Sequence, residues 1–166
     1  MATRRGFTDV AFVTDVFPRT VVGWSVSLTL KTDMLPLQAL NMTVWMVSDH
    51  PTGLVHHSCR GSNYVSFAYT DRIVELGGTP SVGSKGDSYD YALAASQLAL
   101  FKTELIRKLL PGGTAEQVEL AALEWVWWFN NQRLHSEISK EPLVEIEQAY
   151  YAEERPELST GSHGNT

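Results

Sequence analysis

Two apolar, β-branched stretches, Val10–Phe17 and Val21–Leu30, are separated only by Pro18-Arg19-Thr20. Apolar runs broken by such a turn predict a hairpin of two strands. The next segments restrict the fold further. Thr32 or Asp33 can cap a helix over residues 33–48, with Pro36 near its first turn, where proline is tolerated. Leu54–Ser58 reads as a short strand. Ser62-Asn63 opens a helix that runs to Leu76 and stops at Gly77-Gly78. Thr79–Val82 reads as another strand and 83–90 as a loop. A long helix over 91–109 follows, ended by Pro111-Gly112-Gly113. Thr114-Ala115-Glu116-Gln117 is a capping box for a helix over 115–130, and a last helix starts near Pro142. Strands alternating with helices predict an α/β domain with some parallel pairing. Active groups in such sheets gather at strand ends and helix starts. Cys59 ends one predicted strand, and Tyr91 and Ala95 fall in the first turns of the long helix.

The 166 residues suffice for one domain with a sizeable core, read here as residues 1–151 with a frayed tail over 152–166. The longest apolar runs are far too short for a membrane span, and the first residues hold no run resembling a signal peptide. A single cysteine excludes an internal disulfide framework and fits a reducing cytoplasm. The net charge of -6 is unevenly spread. Residues 1–114 carry ten Lys/Arg against nine Asp/Glu, and residues 115–166 three against ten. The first two thirds can therefore offer a local basic face to DNA phosphates, and a solvated surface of mixed charge fits as well.

Several segments then fall into a recognisable order: Val13-Thr-Asp-Val-Phe-Pro-Arg-Thr-Val-Val-Gly-Trp24, His57-Ser58-x-Arg60-Gly61-Ser62-x-Tyr64, Gly86-Asp87-Ser88-Tyr89-Asp90-x-Ala92-Leu93-Ala94-x-Ser96, Lys102-Thr103-Glu104-Leu105, Asn131-x-Arg133-x-His135-Ser136 and Pro142. Together, from Val10 to Tyr151, they resemble the catalytic core of bacterial insertion-sequence transposases, the retroviral-integrase-like enzymes of the DDE group. The resemblance implies an RNase H-like α/β fold, a mixed sheet flanked by helices. It also implies an Asp after His-Ser, a Glu 36 positions later on the long helix, and a third Asp on the first core strand. Those carboxylates hold two Mg²⁺ ions, which support an in-line phosphodiester displacement in DNA cleavage and strand transfer.

In this chain the spacing survives but the residues do not. Positions 59 and 95 lie 36 apart and hold Cys and Ala. No Asp-x-Thr-like motif precedes Val10, so the first core strand and its ligand are expected to be missing. Asp9 and Asp15 are the nearest acids, and Asp15 reads as a turn residue. A thiolate is a soft ligand that selects zinc or copper over Mg²⁺, and alanine supplies no ligand. Asp87 and Asp90 stand in the loop before the long helix, where they are not expected to restore the geometry. The expectation is a catalytically inactive protein with no metal and no cofactor of its own.

Other residues carry paired readings. Tyr91 shares a helix face with Ala95 and either fills the space of the lost Glu or stays partly exposed. By resemblance, Arg60, Lys85, Lys102 and Arg133 are DNA-binding. Lys102, nearly two turns beyond position 95, is a phosphate contact or a solvated lysine. His57 and Cys59 alternate onto one strand face beside His56, but His50, His135 and His163 lack ligand spacing, so no zinc site is expected. Trp125, Trp127, Trp128 and Phe129 suggest base stacking or core. Leu120, Ala121, Trp125 and Trp128 have helical spacing, so at least part of the cluster reads as core. The partners implied are DNA ends, a second copy or an intact transposase, and no membrane. The rival function is a non-catalytic protein that binds DNA or inhibits a transposase. A decayed fragment without function is the third.

Overall fold

The computed structural model describes residues 2–3, 6–27, 35–46, 53–58, 64, 66–82, 88–106, 114–135 and 140–154. Strands β1 (Ala2–Thr3) and β2 (Gly6–Phe7) pair antiparallel ahead of the main hairpin. That hairpin is β3 (Asp9–Thr14) with β4 (Val21–Ser27), antiparallel with Phe12 opposite Trp24 and a register shift after Val13. Its turn carries Arg19 at φ 60°, and the Asp15 carboxylate accepts the Phe17 N–H at 2.9 Å. Asp15 is thus a turn residue, as its sequence context suggests.

Helix α1 (Pro36–Met46) lies directly on β4. Position 23 has to be glycine for this approach. A β-carbon there would overlap the Ala39 carbonyl oxygen and the Thr43 hydroxyl. β5 (Val55–Ser58) and β6 (Thr79–Val82) pair in parallel, with Val55 opposite Thr79 and Ser58 opposite Val82. Helix α2 (Phe67–Glu75) makes the crossover that a parallel pair requires. Both kinds of pairing expected of a mixed sheet are present. Among the described residues they stand in separate two-stranded sheets.

The second half of the chain is helical: α3 (Ser88–Phe101), a π-helical turn over Lys102–Ile106, α4 (Ala115–Asn131) and α5 (Leu143–Glu154). Strand alternation sets the layers. Ala11 and Val13 face α1, where they meet Leu35 and Ala39. Val10 and Phe12 face the other way, into a cluster with Phe101, Val118, Ala122, Trp125, Phe129 and Leu143. Aromatic rings dominate it. Phe12 stands edge-on to Phe101 at 5.3 Å and stacks on Trp125 at 5.7 Å, and Trp125 stacks on Phe129 at 4.7 Å. A smaller cluster of Leu40, Tyr69 and Ile73 ties α1 to α2.

Several boundaries differ from the sequence pattern. β3 ends at Thr14, with residues 16–18 in the turn, and α1 starts at Pro36, with Leu35 outside the helix. α2 starts at Phe67 rather than at 62–63. Ser66 is extended, and its carbonyl takes the first helical N–H bonds, from Tyr69 and Thr70. α3 begins at Ser88, ahead of 91, and its last turn widens into π geometry. The spacing of Gln97, Phe101, Glu104 and Leu105 is that of an ordinary α-helix, so the wide turn leaves no signal in the sequence. α5 continues through 152–154, into the segment read as tail. Other ends hold. Gly77 takes φ 76° as the α2 stop, and the Thr114/Gln117 capping box forms both of its bonds. The outer parts of the predicted 33–48 and 91–109 helices, the 83–87 loop with Lys85, Cys59, Arg60 and residues 155–166 lie outside the described residues.

The phase of α4 shows which part of the aromatic cluster is core. Its buried face is Val118, Ala121, Ala122, Trp125, Val126 and Phe129, recurring at three and four residues. Leu120, Trp127 and Trp128 lie off that stripe and are exposed. Of the set Leu120, Ala121, Trp125 and Trp128, only Ala121 and Trp125 are core.

Candidate active site

Helix α3 carries position 95, and its orientation is fixed from the opposite side by Gln97. This side chain is 2% exposed. Its carbonyl oxygen accepts from the Thr14 hydroxyl, and its amide nitrogen donates to the Arg19 carbonyl at 2.8 Å. One glutamine thus joins α3 to the end of β3 and to the hairpin turn. Phe101, one turn further on, is fully buried against Phe12 and Trp125. Ala95 is turned outward and is exposed, between exposed Ala94 and Ser96. The Ser96 hydroxyl donates to the Leu93 carbonyl at 2.8 Å.

β5 leads toward Cys59 with alternating burial. His56 faces inward, with its Nε2 2.9 Å from the Tyr69 hydroxyl. Burial, and secondarily the His57 ring, hold His56 below the usual histidine pKa. His57 faces solvent. Among the described residues, no group of three His, Cys, Asp or Glu side chains is arranged to hold a metal.

Beyond α3, the π turn places Lys102 in solvent and Glu104 half-buried against α4. The two Glu104 oxygens are divided between neighbours. Trp125 Nε1 donates to Oε2 at 3.2 Å, and Arg133 Nη2 donates to Oε1 at 3.1 Å. The Arg133 guanidinium also lies 5.5 Å from the Phe129 ring centre and 6.0 Å from that of Trp128. Of the residues assigned to DNA by resemblance, Lys102 is therefore presented outward, whereas Arg133 is engaged with Glu104 and the aromatic rings. Nearby, His135 Nε2 meets the Phe129 carbonyl at 3.3 Å, and burial again lowers its pKa.

Two positioning residues, Gln97 and Asn130, went unread in the sequence, and a third, Glu104, was read only as part of a motif. Asn130 accepts the Val21 N–H at 3.0 Å and donates to the Val21 carbonyl at 2.9 Å, clamping α4 to β4. Each is a polar residue on the apolar phase of its helix, which is the signal that identifies it.

Comparison with known proteins places this geometry. A family profile described as "Integrase core domain" matches residues 97–142. A Shigella sonnei transposase for insertion sequence element IS629 is 47% identical over 152 residues, covering 92% of this chain and 50% of that protein. A Mycobacterium tuberculosis protein (strain CDC 1551 / Oshkosh), assigned as a transposase for element IS986/IS6110, is 43% identical over 161 residues, covering 94% of this chain and 58% of its own length. This chain is an integrase-core relative of insertion-sequence transposases. It spans about half the length of the curated relatives it matches. In three dimensions the integrase-core chain resembles the HTLV-2 integrase catalytic core domain in complex with magnesium. That likeness has TM-score 0.58 at 14% identity, over 84% of this chain and 92% of that one. The simian T-cell lymphotropic virus intasome in complex with PP2A regulatory subunit B56 gamma gives TM-score 0.64 at 10% identity, over 95% of this chain and 56% of that one. These likenesses confirm the RNase H-like, integrase-core fold that the motifs suggested. The profile match begins at Gln97 and ends at Pro142, so it takes in the Glu104–Trp125–Arg133 cluster but neither position 59 nor position 95.

Proposed function

We propose that this chain is the integrase-core part of an insertion-sequence transposase, a protein of DNA transposition and integration, and that it is itself catalytically inactive. One observation carries the second half. Position 95, where the resemblance expects a metal-binding Glu, is an exposed alanine on a well-anchored helix. A methyl group cannot coordinate an ion, and the thiol at position 59 is a poor ligand for a hard one. The residues present therefore do not fit the Mg²⁺ pair of the family, and no metal-dependent step is assigned to them. The high identity to insertion-sequence transposases supports the first half.

In this reading residues 1–151 form one core domain, and DNA is met through cationic side chains. Lys102, exposed beyond the end of α3, is the leading described candidate. Arg60 and Lys85 share that role by resemblance, and Arg133 contributes less because Glu104 already holds it. The partners would be terminal DNA ends and a second copy or an intact transposase, met in the cytoplasm. Among the described residues no helix is long and apolar enough to cross a membrane. The exposed lysine favours a second role, DNA binding without catalysis.

A strand-transfer assay with Mg²⁺ and terminal-repeat DNA tests both readings. The chain as written should give no transfer product above background, and product formation would refute inactivity. Binding to the same DNA should weaken steeply with salt, and Lys102→Ala should weaken it further without altering the fold. Retention on DNA that ignores both salt and Lys102 would exclude the DNA-binding role.

A further inference from the structure

The π turn over Lys102–Ile106 carries two opposite charges that the fold treats differently. Lys102 is exposed and has no ion-pair partner among the described residues. Glu104, two positions later, turns toward α4, and its side chain is 27% exposed. Its Oε2 accepts from the indole of Trp125, which is 3% exposed, and its Oε1 accepts from Arg133, whose side chain is 23% exposed. Two cations and one anion thus belong to one turn and its neighbour, and the anion neutralises one of the cations.

The Glu104–Arg133 pair is anchored on its acidic side. Trp125 stands in the aromatic core between Phe12 and Phe129, so the carboxylate that it holds is fixed as well. Arg133 lies just beyond the end of α4, where its own N–H bonds the Trp128 carbonyl at 2.9 Å. Its guanidinium rests by the Phe129 and Trp128 rings. A guanidinium has five N–H donors in one plane, a geometry that suits phosphate oxygens. Here a phosphate that reached those donors would stand close to a carboxylate that cannot swing away, and the two like charges would oppose each other.

We propose that Glu104 masks Arg133 and thereby sets how strongly this chain binds DNA: with the acid in place Lys102 meets phosphate and Arg133 does not, and without it both do. The proposal rests on the reading that Lys102 contacts DNA. Neutralising one backbone phosphate releases condensed counterions and adds about 0.9 to the slope of log affinity against log salt. The salt slope therefore counts the cations in contact.

Anisotropy of a short fluorescent DNA duplex, titrated with the full chain at several salt concentrations, reads affinity and slope together. Glu104→Gln keeps the size of the side chain and removes its charge. It should steepen the slope by about 0.9 and tighten binding roughly 8-fold at about 0.1 M salt, as one added contact does. Adding Arg133→Ala to that chain should return the slope to the parent value. Both Glu104→Gln chains lack the same carboxylate contact to Trp125, so any loosening of the core is common to them and does not produce the difference. In the parent, Lys102→Ala should flatten the slope by about 0.9, whereas Arg133→Ala should leave it in place. This last comparison needs no change at Glu104. An unchanged slope in Glu104→Gln overturns the mask, as does a steeper slope that survives Arg133→Ala. So does an Arg133→Ala parent whose slope flattens as that of Lys102→Ala does, because Arg133 would then already be in contact. Failure of the underlying reading looks different: parent and Glu104→Gln chains would both fail to bind, or bind without regard to salt and Lys102, and the mask would fall with it.

Discussion

Gln97 offers the most direct test of how α3 is held. Replacing it with methionine keeps nearly the same volume and removes both hydrogen bonds. Each bond contributes about 1 kcal/mol net. The two ends differ, however. Arg19 is an exposed turn residue, and its carbonyl can turn to water at little cost. The Thr14 hydroxyl is half-buried, and losing its acceptor adds roughly 1 kcal/mol of unmet desolvation. Gln97→Met should therefore destabilise by about 2–3 kcal/mol, a fall of roughly 5–10 °C in Tm for a domain of this size. Thr14→Val, which removes the hydroxyl at constant shape and leaves the buried Gln97 carbonyl oxygen without its donor, should cost about 2 kcal/mol. Because the two residues share one bond, the double variant should be less damaged than the sum by at least about 1 kcal/mol. Urea unfolding of the four proteins reads this coupling directly. Additive losses, or a Gln97→Met chain as stable as the parent, would show that the buried glutamine does not tie α3 to the hairpin.

Three further outcomes follow from the geometry. Gly23→Ala should destabilise by about 2 kcal/mol or more, because a backbone carbonyl of α1 has to move aside; an unchanged urea midpoint would contradict the close approach. Ala95→Glu should leave stability within about 0.5 kcal/mol, since the site is exposed and both residues favour helix; a large loss would mean that position 95 is buried by something unseen. Acid should destabilise the fold. His56 and His135 have pKa values below the usual 6.5, so the unfolded chain binds more protons between those lowered values and 6.5, and stability falls as pH drops through that window. Glu147, raised by burial and then by Asp15, acts oppositely, with stability falling as pH rises above 4.5 through its raised value. His56→Gln should flatten the loss below pH 6.5, and Glu147→Gln should stabilise at neutral pH, both read as urea midpoints against pH.

Much of the architecture was legible because it rests on local rules. The hairpin follows from two β-branched runs around a turn. The α2 stop follows from Gly77, and the α4 start from the Thr114/Gln117 reciprocal cap. The order of strands and helices and the motif spacing identified the integrase-core fold. What stayed hidden depends on long-range contacts. Nothing local shows that Gly23 lies beneath Ala39, that Asn130 grips Val21 from more than a hundred residues away, or that Glu104 is shared by Trp125 and Arg133. Arg133 shows this most clearly. As a sequence position it is a free cation near aromatic rings, suited to DNA. In the fold its charge is already paired.

On the proposed reading, the same separation accounts for a transposase-like scaffold that lacks a ligand position and keeps its fold. The side of α3 that builds structure holds Gln97 and Phe101, and the side that would face the chemistry holds Ala95. Ala95 is exposed while Gln97 and Phe101 are buried, so a change at position 95 is expected to leave the packed side of the helix undisturbed. Clustered carboxylates waiting for a metal repel each other and weaken a fold until the ion arrives. On that reading, alanine at position 95 stands where one such charge would be and is the best helix-forming residue. On the proposed reading, what the chain retains lies in surfaces away from position 95, such as the exposed Lys102.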